Sequence, residues 1–168
     1  MWDALTAADQ LMGKRTVKVF NVETMVQACA RDTIANSRAI EYLAIFGHGM
    51  GGYQSIGAGK ANESDGKRAL RYARTAAYGA SPLMGNAEKK LKTLNGVLSP
   101  YATILLAGCN VGEGEMGTGL LTAVSTILND RTVQAFEWAV YWWTGYMVGP
   151  RKEARGTAVS STWAVMHL

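Results

Sequence analysis

The stretch 105–117, LLAGCNVGEGEMG, decides how the chain is read. An apolar run over residues 102–107 stops at Gly108, and Cys109 follows. Next come a glycine-rich turn and an amphipathic segment over about 117–129. The pattern predicts a buried strand, a thiol at its carboxyl end, a tight turn and a helix. A second stretch has the same form. Residues 41–46, EYLAIF, are apolar after the first and run into Gly47-His48-Gly49. One imidazole and one thiol thus each close a hydrophobic strand.

Working outward, residues 16–20 are β-branched and aromatic and read as a strand. Residues 23–37 space Met25, Val26, Cys29, Ala30 and Ile34 as a helix would, which makes Cys29 a small core hydrophobe. A loop with a short hairpin is expected over 49–59, a polar loop over 60–66 and helices over 66–78 and 86–98. Asn86 serves as the cap of the last, and Ser99-Pro100 stops it. The helix after Cys109 carries Leu120, Leu121, Val124, Ile127 and Leu128. A fourth strand, TVQAF, fills 132–136. An aromatic segment (Trp138, Tyr141, Trp142, Trp143) precedes two short strands, 145–149 and 157–166, joined by a charged loop. A short N-terminal helix is expected over 1–14. Strands that alternate with helices predict an α/β domain. Its central sheet is mostly parallel, with helices on both faces and a small C-terminal β element. In such sheets, sites form at the carboxyl ends of the strands.

Length and composition narrow the classes. The 168 residues read as a single domain, with a core over 16–136 and a C-terminal part over 137–168. With 48% hydrophobic and 18% charged residues, the composition is that of a globular domain. No apolar run approaches the ~18 residues of a membrane span, and the N-terminus lacks the basic start of a secretory signal. The expected setting is the cytoplasm, or export by a specialised route. Two cysteines make no disulfide framework and read as free thiols. The net charge of +4 is mild, and the basic clusters at 67–74, 89–92 and 151–155 read as solvated faces. No nucleic-acid or membrane partner is expected.

The chemistry of the pair is acyl transfer. A cysteine attacks as thiolate, a form favoured by a helix amino terminus and a nearby imidazole. His48 is placed to move the proton. Glycines let backbone amides, those of Gly49 and Cys109, approach a developing oxyanion. Rival motifs fail. FGHGMGG, residues 46–52, looks like a serine hydrolase elbow, but Gly49 stands at the nucleophile's place. Gly57-Ala58-Gly59-Lys60 lacks phosphate-loop spacing. Two cysteines plus His48 and His167 form no metal-ligand pattern, so no metal and no cofactor are expected.

The blocks YLAIFGHGMGG and ATILLAGCNVG resemble the two catalytic blocks of caspase-like cysteine peptidases, in particular the caspase-like domains of large bacterial surface and toxin proteins. The resemblance spans about 17–136. It implies a three-layer caspase-like fold and a cysteine endopeptidase with His48 as general acid/base and Cys109 as nucleophile. Gly49 and Cys109 would supply the oxyanion amides. It also implies a protein or peptide substrate, which includes the chain itself or a partner protein. Relatives that cut after Arg or Lys carry an acid two residues before the Cys, where this chain has Ala107. Glu113, Glu115 and Glu137 are the candidate substitutes. The toxin domain's polyanion activator would correspond to Arg151, Lys152 and Arg155. The alternative is an inactive caspase-like scaffold that acts as an interaction module.

Overall fold

The computed structural model describes residues 15–56, 68–74, 81–138 and 146–167. The expected N-terminal helix, the 60–66 loop and the aromatics Tyr141, Trp142 and Trp143 lie outside these residues. Helix α1, Val22–Asn36, starts at a capping box: Asn21 Oδ1 accepts the Thr24 amide, and Thr24 Oγ1 accepts the Asn21 amide. It buries Val22, Met25 and Cys29. Strand β1 is Ile40–Phe46. A small antiparallel sheet follows, made of β2 (Gly49–Met50), β3 (Tyr53–Ser55) and β4 (Ala69–Arg71). Then come α2 (Ala87–Thr93), a 3₁₀ turn, β5 (Leu98–Ala107), α3 (Gly114–Ile127), β6 (Thr132–Phe136), β7 (Tyr146–Arg155) and β8 (Ala158–His167).

The main sheet has the order β1-β5-β6-β7-β8. Its first three strands are parallel, and β7 and β8 join antiparallel. Strand β5 is buried on both faces, as its unbroken apolar run requires. Ala102, Ile104 and Leu106 face the helices, whereas Leu105 and Ala107 face the other way. Helices α1, α2 and α3 all contribute to the first cluster, so among the described residues the helical layer covers one face. Leu120, Leu121 and Val124 of α3 are fully buried there, each stabilising by roughly 1.5–3 kcal/mol.

The other face is concave. The Tyr42 hydroxyl of β1 reaches Met166 Sδ of β8 at 3.6 Å, although these strands are the two edges of the sheet. Strands about 4.8 Å apart would hold flat edges roughly 19 Å from each other, so the sheet curls over this face. Leu105, Ala107, Phe136 and Met147 fill the curl, with Phe46 and Cys109 packed against them.

Several sequence expectations are corrected. Residues 16–19 are not a strand. The Phe20 amide binds Thr24 Oγ1 and leads the segment into the α1 cap. Residues 69–71 are strand, not helix, because they close the small sheet against β3. Asn86 precedes α2 without a side-chain cap bond, and α2 gives way to the 3₁₀ turn at Leu94. Ser99-Pro100 falls inside β5, near the register shift between Ile40 and Tyr42, where a missing donor is tolerated. The supposed charged loop 150–156 is mostly strand. Arg151, Lys152, Glu153 and Ala154 pair with β6, so the C-terminal strands extend the central sheet rather than form a separate element.

Candidate active site

Strands β1 and β5 are neighbours, parallel, and in register to their last residues, Phe46 opposite Ala107. His48 and Cys109 each follow two residues later, so both leave the sheet at the same end. The two loops touch. A Cβ on Gly108 would lie 2.9 Å from Gly49 Cα, and one on Gly49 would lie 2.6 Å from the Cys109 carbonyl and 2.4 Å from Val111 Cγ2. Glycine at both positions is what lets the loops approach. His48 is exposed, and Cys109 is half-buried with one side on the concave-face cluster.

The small sheet clasps this junction. The Ser55 amide donates to the His48 carbonyl at 2.8 Å, and the His48 amide donates to Ser55 Oγ at 2.7 Å. His48 and Ser55 are therefore a hydrogen-bonded pair. The next pair, Gly49 and Gln54, is the non-bonded kind, whose N–H points away from the partner strand. The Gly49 amide is thus aimed out of the hairpin. Gln54, fully buried, accepts the Gly108 amide on Oε1 at 2.8 Å. The Gly52 amide reaches the Val111 carbonyl at 3.2 Å, which seats the hairpin turn on the Cys loop.

The Cys loop is tied down from β6 and β7. Asn110 adopts φ +59°, and its amide donates to the Trp138 carbonyl, while Gly112 donates to Phe136. Lys152 Nζ donates to the carbonyls of Gly112 and Gly114. Gly117 packs so closely on Gly112 that a Cβ would fall 2.2 Å from its carbonyl carbon.

The pocket candidates do not converge on one point. Ala107 is fully buried in the concave-face cluster. Glu113, at the start of α3, and the Glu137 backbone both take a hydrogen bond from Asn110 Nδ2, beside Cys109. The Glu137 carboxylate accepts from Ser161 Oγ at 2.6 Å and lies 3.5 Å from Lys152 Nζ. Glu115 instead pairs with Arg74 at the surface. The basic trio is also divided. Successive strand residues face opposite ways, so Lys152 serves the helix-side loop. Arg151 lies on the other face, near Tyr42, whose phenol burial pushes up against the opposing effect of Arg151. Arg155 is exposed at the far end of β7.

Cys29 is 6% exposed. Burial first, and Asp32 second, push its thiol up to about 11, against a backbone hydrogen bond. Sequence reasoning missed Gln54 and Ser55. Their signal was a polar pair inside a glycine hairpin. Among the described residues no group of three or more His, Cys, Asp or Glu is placed to hold a metal ion, and no helix is long and apolar enough to cross a membrane. Comparison with protein-family models, with curated proteins and with solved structures finds no match.

Proposed function

We infer that the chain is a cysteine endopeptidase of the caspase-like kind, with a three-layer fold and a His48–Cys109 dyad. The observation that carries this reading is the shared end of β1 and β5, where the loops bearing the two residues are in van der Waals contact. The Cys109 thiolate attacks the peptide carbonyl carbon, and the C=O electrons move onto oxygen. The outward Gly49 amide, with that of Cys109, stabilises this oxyanion. Collapse breaks the C–N bond as His48 protonates the departing amine. Water, deprotonated by His48, then attacks the thioester and releases the carboxylate and the thiol. The substrate is a protein or peptide, this chain or a partner included.

Turnover of a mixed peptide pool by the wild type, Cys109→Ala and His48→Ala tests this. Loss of the nucleophile is expected to cost at least about a thousandfold, by analogy with triad knock-outs. Wild-type-like turnover by Cys109→Ala would end the reading. Mass spectra of fresh and aged wild type and Cys109→Ala report whether the chain cuts itself.

A second reading, a non-catalytic interaction module, is favoured by one feature. Trp138 and Trp163 stack edge-to-face at 5.1 Å and are 53% and 63% exposed, beside the Cys loop. Under it, Trp163→Ala abolishes partner capture while Cys109→Ala leaves it intact.

A further inference from the structure

Gln54 and Ser55 are adjacent in β3 yet serve different loops. Ser55 holds the His48 backbone in both directions, through its amide at 2.8 Å and its hydroxyl at 2.7 Å. Gln54 holds Gly108, the residue before Cys109, through Oε1 at 2.8 Å, while its Nε2 donates to the Ser55 carbonyl at 2.9 Å. The side chain is wedged between the glycines that precede the two site residues. A Cβ on Gly47 would come 3.1 Å from Nε2, and one on Gly108 would come 2.8 Å from Oε1. A fully buried amide with both ends engaged has one low-energy position. It therefore fixes the spacing of the loops on either side.

We propose that Gln54 and Ser55 are the positioning residues of the site: together they set the separation and alignment of His48 and Cys109 without touching substrate. The proposal rests on the peptidase reading above. A misplacement of about 1 Å between reacting groups costs up to about a hundredfold in rate. Loss of this clasp thus shows in turnover rather than in substrate binding.

Two variants test it. Gln54→Met keeps the length of the side chain and removes both hydrogen bonds. Its kcat is expected to fall about tenfold to a hundredfold, with KM within about twofold of wild type. Gln54→Glu adds a signature that a merely structural residue lacks. The protonated acid can accept from Gly108 and donate to the Ser55 carbonyl, as the amide does, whereas the carboxylate has nothing to donate. The ratio of its kcat to that of wild type, measured at each pH, should therefore rise as pH falls. A folded Gln54→Met with wild-type kcat, or a flat Gln54→Glu ratio, overturns the proposal. If Gln54→Met does not fold, the Gln54→Glu ratio decides alone. An active wild type with unaffected variants refutes the clasp only; an inactive wild type refutes the peptidase reading and the clasp with it.

Discussion

Cys29 and Cys109 carry the same side chain in opposite settings. Cys29 sits on the buried stripe of α1, among Val22, Met25 and the core, with its thiol pushed up to about 11 by burial. Cys109 stands past the end of β5, half-buried against apolar packing, in a loop whose backbone meets that of Gly49. Helical periodicity places the first and strand-end glycines place the second. A cysteine on an apolar stripe is held inert by desolvation. A cysteine between a strand and a glycine turn stays within reach of a reactant.

The contrast breaks most visibly if a methyl group is added beside Cys109 in one variant and the Cys29 thiol is removed in another. Gly49→Ala drives a Cβ into Val111 and the Cys109 carbonyl. Overpacking of this sort costs about 1–3 kcal/mol, and the displaced loop should lower kcat/KM by about a hundredfold. Cys29→Ala, by contrast, should leave kcat/KM within about twofold, since its side chain is buried in the helix-side core. Kinetics with denaturant melts on both variants check the pair. Normal turnover by Gly49→Ala would remove that glycine from the site.

A smaller effect sharpens the same contrast. The folded Cys29 thiol ionises at about 11 rather than 9.0, so the folded state holds a proton that the unfolded chain has released. The stabilisation is complete below 9.0 and is lost as pH rises from there to about 11. The two-unit shift corresponds to roughly 2–3 kcal/mol. Urea melts between these pH values should show that slope in wild type and a shallower one in Cys29→Ala. Parallel slopes would mean that burial does not hold Cys29 neutral.

How much of this was legible in the sequence follows from how local each signal is. Helices α1 and α3 announce themselves by period, β6 by its short run TVQAF, and β1 and β5 by apolar runs that stop at Gly47 and Gly108. The segment 69–71 did not, because three residues with a buried Leu70 fit either period. The charged run 151–155 read as loop, because polarity alone does not show that a strand will pair with β6. The meeting of the His48–Gly49 loop with the Cys109 loop was legible through the glycines of both. Gln54 was missed because its partner, Gly108, lies 54 residues away, and only the fold brings them together. The pocket acids were found as residue types, yet ion pairing sent Glu115 to Arg74 and Glu137 to Lys152.

The most direct test is the rate at which a peptidyl electrophile modifies each thiol, read by peptide mapping in the wild type and in His48→Ala. The shift at Cys29 alone leaves it about a hundredfold less thiolate than a thiol at 9.0. Cys29 is therefore expected to trail Cys109 by at least about a hundredfold, and removal of His48 is expected to slow Cys109 while leaving Cys29 unchanged. Slow, equal modification of both thiols, or a Cys109 rate indifferent to His48, would contradict the account.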